Sequence, residues 1–370
     1  MSTLPLAGLR VLDIASLYAA PLAATMLGDF GADVVKIEPP GGDGFRRTGL
    51  WPAIARNKKS VTLDLRQPEG CAVLRELVKH ADVMVENYPA RVLEQRGIDW
   101  PSLSAINPRL VMLSLSCYGR TGPYADRPGS GTIGEGFGGL THLTGPADGA
   151  PLLPSVALGD AIGALSMVVG TLVALYWRDT GGNRGQHVDA SLYEPILHAV
   201  TNAAARWQPG NSPRRSGSRL AGSAIRNVYG TADGQYVVIS ASTGRHVNDL
   251  VQLAGGGDDA DAMVAAWIRT QPLETLLAML VERRIPVARV NDIDTLLADP
   301  QVQARGSLVQ AHDPELGDVV QVAPTPRLSA TPGRVRWLNP RLGEHTDEVL
   351  AGTLGFSAAR LAELRGAGVV

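Results

Sequence analysis

From residue 9 to residue 116 the chain alternates short apolar runs of strand type with helical patterns. "LRVLDI" is followed by "APLAATMLGDFG", then "ADVVKIE"; "PEGCAVLRELVKHA" is followed by "DVMVEN", and "LVMLSLS" ends the series. Strands that read as nearly continuous Val/Ile/Leu runs with helices between them belong in a parallel sheet covered on both faces. This alternation constrains the chain more than any other feature. It predicts an α/β fold with a Rossmann-like large domain.

The texture changes after residue 205. "QPGNSPRRSGSRLAGS" is polar and rich in Arg, Ser and Gly, and reads as a linker or an active-site loop over residues 206–227. "NVYGTADGQYVVISAS" reads as two strands around an Asp-Gly turn at Asp233–Gly234, "PLETLLAMLVERR" as a helix, and "RIPVARVNDIDTLLADP" as a strand and a short helix. A smaller α+β domain over 228–325 follows from these, and residues 326–370 read as a helical return to the large domain of residues 1–205.

Composition removes several classes of function. A formal charge of −2 over 370 residues, with Lys and Arg scattered, gives no field for nucleic acid. Cys71 and Cys117 are far apart in apolar settings, which suits free thiols in the cytoplasm. "MSTLPLAGLRVLD" lacks the pattern of a signal peptide. "AIGALSMVVGTLVALYW" is slightly short for a membrane span and reads as a helix buried between layers, so no membrane partner is expected.

The Rossmann texture invites a nicotinamide site, but the first strand-to-helix turn, "DIASLYAAP", holds no glycine to bring backbone against a pyrophosphate. Neither a Walker loop nor a Gly-x-Ser-x-Gly elbow occurs. The seven histidines have no ligand spacing, so no metal is expected. "GSGTIGEGFGGL", residues 129–140, lets backbone approach a ligand or simply turns the chain.

One residue stands out from the apolar helix. In "VALGDAIGAL" Asp160 is the only charge between Gly149 and Trp177. As an N-cap it would accept amide hydrogen bonds at the positive end of the helix dipole. A poorly hydrated carboxylate kept ionised is equally a nucleophile. The residues alone leave both roles open.

"VLDIASLYAAPLAATMLGDFGADVVKIEPPGGD", "NKKSVTLDL", "ADVMVENYPARVLE", "NPRLVMLSLSCYGRTGPYADRPG", "LGDAIGAL", "GGNRGQHVDASLYE", "RIPVARVNDIDTLLADPQVQARG" and "PRLGEHTDEVL" together resemble the class III CoA-transferases (the CaiB/BaiF family), which include formyl-CoA and carnitinyl-CoA transferases. The resemblance implies that Asp160 is a covalent nucleophile, passing through aspartyl anhydride and aspartyl-CoA thioester. It implies coenzyme A and acyl-CoA as substrates, a carboxylic acid as acceptor, and no permanently bound cofactor. Ser16, Tyr18, Ala19, Lys58, Lys59, Asn87, Tyr88, Arg91 and Arg127 fall on segments that line the CoA site in relatives, with Lys58 and Arg127 as phosphate candidates. An interlocked homodimer is implied as well.

The chain departs from the family at several places. Ser16 and Tyr18 stand where formyl-CoA transferase carries His and Gln. Gln95, followed by Arg96, replaces an Arg, and a poly-glycine active-site loop is missing, with "GSRLAGSAIRN" nearby instead. The alternatives are a 2-methylacyl-CoA racemase, an intramolecular CoA transfer or an acyl-CoA-binding protein. Racemases resembling this family place a His where Ser130 stands, and an acid/base pair needs both members.

Overall fold

The computed structural model describes residues 4–220, 222–256, 259–313 and 315–370. They form two compact units, one of residues 1–140, 154–202 and 306–370, the other of residues 141–153 and 203–305.

The first unit is built on six parallel strands: β1 (Arg10–Asp13), β2 (Asp33–Glu38), β3 (Lys58–Thr62), β4 (Val83–Glu86), β5 (Val111–Ser116) and β6 (His187–Ser191). Their order is β3-β2-β1-β4-β5-β6. Strand period 2 divides the apolar runs between two cores. Leu12, Ile37, Val61, Met84 and Met112 face one helical layer, while Val11, Val34, Val83, Val85 and Leu113 face the other. The expected parallel sheet, covered on both faces, is the fold observed. The order reverses between β1 and β4, and the carboxyl ends of such a pair open the crevice where ligands bind in doubly wound sheets.

The helix Leu158–Trp177 buries Gly163, Ala164, Met167, Thr171 and Ala174 in one stripe, packed against the helix Ala19–Asp29. Small residues recurring every three or four positions allow that close approach. Its other face is bare: Val169 is 61% exposed, Val173 63% and Tyr176 73%. The expectation that this helix is buried all round therefore fails for the single chain, because only one stripe meets a neighbour. By length and apolarity it would also pass as a membrane span, the one such helix among the described residues.

In the second unit β7 (Ile225–Gly230), β8 (Tyr236–Ala241) and β9 (Val287–Arg289) form an antiparallel sheet in that order. Gly234, at φ +74°, makes the expected turn between β7 and β8. Ile225, Val237 and Ile239 pack with Leu250, Val264, Leu276 and Leu280 of three helices to give a separate core. The observed boundaries differ from those expected at residues 205 and 325. The hairpin of β10 (Leu308–Asp313) and β11 (Gly317–Val322) belongs to the first unit, because Gln321 accepts a hydrogen bond from Arg56 and β11 packs on the helix Trp51–Ala55. Residues 141–153 belong to the second.

Candidate active site

At the switch point the chain leaves β1 through residues 14–18 and enters the helix Ala19–Asp29. Two buried ammonium groups fix that loop at both ends. Lys58 Nζ lies 2.7 Å from Asp13 Oδ2 and donates at 2.7 Å to the Pro21 carbonyl. Lys36 donates to the Ala15 carbonyl and pairs with Asp13 and with Asp43, the latter at 3.3 Å. Asn87, just past β4, clasps the same loop by accepting from Ser16 N at 2.9 Å and donating to Ser16 O at 2.7 Å. Leu17 sits at φ +67° and more than half exposed, a strained conformation of the kind found at functional sites. The result is a rigid turn with Ser16 outward, Tyr18 half-buried and Ala19 buried at the start of the helix.

This geometry corrects the reading of the lysines. Lys58 is fully buried, and burial pulls its pKa down to about 8 despite Asp13 beside it. An ammonium held by Asp13 and Pro21 O does not reach a phosphate. Lys59 points the other way along the strand, pairing with Asp33 at 3.3 Å and Glu348 at 3.1 Å. Neither is a free phosphate ligand, because carboxylates of the fold already hold both charges.

The arginines remain accessible. Arg91 and Arg127 are exposed, and the Arg127 guanidinium lies 3.5 Å over the ring of Tyr124. Tyr124 belongs to an edge-to-face cluster with Tyr118, Phe137 and Tyr193. Arg96, adjacent to the Gln95 departure, lies 5.5 Å over the ring of half-buried Tyr88.

Asp160 is the third residue of its helix, and Ala157 holds the cap position, so the expected N-cap does not form. Glu135 supplies the acceptor instead. Its Oε1 accepts the Gly159 amide at 2.7 Å, fully buried, from the short helix Gly131–Phe137. The Asp160 carboxylate lies against the Cα of Gly131, where a Cβ would overlap Oδ2 and Cγ. Close approach, then, is what the Gly-rich stretch provides at this position. Among the described residues no cation pairs with Asp160. Burial, and then the charge of Glu135, push its pKa above the ordinary value of 3.8. The helix N-terminus works the other way and favours the ionised form.

Tyr18 and Cys117 feel the charge of the same carboxylate. Burial raises the pKa of each, and the charge of Asp160 adds to it, so both stay neutral at pH 7. A half-buried carboxylate without a counter-ion among the described residues, seated on glycine backbone, is a nucleophile or a base. Sequence reasoning missed Glu135, although it is the one charge in "GSGTIGEGFGGL". The particular demand for glycine at 131 was equally invisible without the packing.

Comparison with known proteins agrees with the fold. The sequence profile of CoA-transferase family III matches residues 6–346, and the chain belongs to that family. Succinyl-CoA–D-citramalate CoA-transferase of Chloroflexus aurantiacus is 38% identical, over 99% of this chain and 98% of its own length. Succinate–glutarate CoA-transferase of Agrobacterium fabrum is 34% identical, over 94% and 95%. A crystal structure of a CaiB/BaiF family protein from Brucella suis superposes with a TM-score of 0.84 at 32% identity, covering 95% of this chain and all of that one. The protein is a CoA-transferase, acting on acyl-CoA thioesters and carboxylic acids.

Proposed function

We propose that Asp160 carries the CoA group between a succinyl-CoA donor and a small dicarboxylic acceptor. The observation that supports this most is the carboxylate itself: half-buried, without a cation among the described residues, and seated against the backbone of Gly131, where any side chain would displace it. An Asp160 oxygen attacks the thioester carbonyl and expels CoA thiolate, leaving a mixed anhydride. The thiolate attacks the aspartyl carbonyl of the anhydride, freeing the donor acid and forming an aspartyl-CoA thioester. The acceptor carboxylate attacks that thioester and expels thiolate again. Attack of the thiolate on the acceptor carbonyl then releases Asp160 and the new acyl-CoA. Each step exchanges one activated acyl bond for another, so exclusion of water is the main requirement.

Relatives named for succinyl-CoA with citramalate or malate, and for succinate with glutarate, support the substrate class. Arg91, Arg96 and Arg127 pair with no carboxylate among the described residues and are the candidates to meet the phosphates of CoA, and Tyr88 offers a ring beside Arg96. The bare apolar face of helix 158–177 supports a homodimer, since a monomer rarely leaves such a stripe to water. Two free buried thiols support a cytoplasmic setting. The test incubates the enzyme with succinyl-CoA and, in turn, malate, citramalate, glutarate and a monocarboxylic control, and identifies the thioesters formed by mass spectrometry. A new dicarboxylyl-CoA with loss of succinyl-CoA is expected. Hydrolysis to free CoA across the whole panel would overturn the reading.

A further inference from the structure

The first turn of helix 158–177 needs an acceptor for its amides, and the carboxylate in that turn does not serve. A first-turn acid ordinarily satisfies its own helix. Here Glu135, from another helix, accepts the Gly159 amide at 2.7 Å. Glu135 is 2% exposed and reaches this position because Gly159 presents no side chain: a Cβ there would crowd Glu135 Cγ at 3.0 Å. Two carboxylates thus share one helix end, one bound to backbone and one left open.

We propose that Glu135 is the positioning residue of the nucleophile: by capping the helix from outside, it holds residue 160 in place and leaves the Asp160 carboxylate unengaged above Gly131. This rests on Asp160 being the nucleophile, and it adds a second consequence. The titratable groups facing Asp160 are Tyr18 from the switch-point loop, Cys117 from the end of β5 and Glu135; Arg56 acts only on Tyr18. Burial, and then the neighbouring Glu135 carboxylate, make Asp160 harder to ionise and more basic once ionised. Glu135 therefore fixes the place of the attacking oxygen and adds to the basicity that burial gives it.

Two variants separate these roles. Glu135→Gln keeps an oxygen for the Gly159 amide and removes the charge; Glu135→Ala removes both. The first readout needs no substrate: a water-soluble carbodiimide with glycinamide modifies protonated carboxyls, and peptide mass spectrometry follows Asp160 modification from about pH 4 to about pH 8. We expect the midpoint in Glu135→Gln to fall below that of the wild type. The second is the rate of succinyl-CoA consumption with glutarate at neutral pH. It should drop on the order of 100-fold in Glu135→Ala and less than about tenfold in Glu135→Gln, the conservative variant rescuing position. An unmoved midpoint in a folded Glu135→Gln protein, or wild-type turnover by Glu135→Ala, would overturn the proposal. If the midpoint moves but Asp160→Asn still transfers CoA, the nucleophile reading fails and the capping role stands.

Discussion

Asp13 and Asp160 both sit near the carboxyl edge of the parallel sheet, and the fold treats them in opposite ways. Asp13 is fully buried between Lys58 and Lys36, accepts the Ala15 amide, and serves to fix the switch-point loop. Asp160 has no cation among the described residues, and the nearest charge acting on it is a second carboxylate. The structural acid is matched with positive charge, at the cost of burying the pair. The acid we propose as nucleophile is left unmatched, which keeps it basic. The difference distinguishes the two roles more sharply than burial alone, since Asp13 is the more buried.

The largest effect should come from Asp160→Asn. Transfer is expected to fall by about 1,000-fold or more, because the amide cannot form the anhydride. Stability should move the other way. The folded pKa of Asp160 lies above 3.8, so the folded state binds its proton more tightly than the unfolded chain. Stability from the protonated form is then lost as pH rises from the unfolded pKa through the raised folded one. Asn removes that loss, and a thermal melt at neutral pH should give a Tm at or above wild type. This replaces the expectation from a simple cap, under which loss of the side chain would destabilise.

Lys58→Met tests the other half of the comparison. It removes the nearer of the two ammonium partners of Asp13, leaving Lys36 at 3.7 Å, and should cost about 3 kcal/mol, measured by urea unfolding. Gly131→Ala comes next. Its methyl displaces the Asp160 carboxylate, and turnover should fall roughly 100-fold while circular dichroism stays native, as misplacement by about 1 Å predicts. For the wild type, the acid limb of the pH–rate profile should lie above the ordinary Asp value of 3.8, with rate rising as pH rises, since the proposed nucleophile must lose its proton to attack. Smallest is Lys59→Ala, whose partly exposed pairs with Asp33 and Glu348 should be worth less than about 1 kcal/mol. A large rise in KM for succinyl-CoA in that variant would restore Lys59 to the phosphate site.

Much of the large unit was legible because its strands are continuous apolar runs and its helices keep a 3.6-residue period. Asp160 was legible because it stands alone in an apolar segment. Lys58 misled, since adjacent lysines in a strand point to opposite faces, and only the fold shows that one of them enters the core beside Asp13. Glu135 was silent because its partner, the Gly159 amide, is 24 residues away and is brought close only by packing of two helices. The extent of the second unit depended on where Gln321 finds Arg56, a contact that carries no local signature.

The central claim is that an unmatched carboxylate carries the acyl and CoA groups. The most direct measurement is peptide mass spectrometry of the enzyme quenched with hydroxylamine after mixing with succinyl-CoA. The expected result is a hydroxamate on Asp160 that is absent without succinyl-CoA and absent in Asp160→Asn. Turnover with Asp160 unmodified, or a modification on another residue, would contradict it.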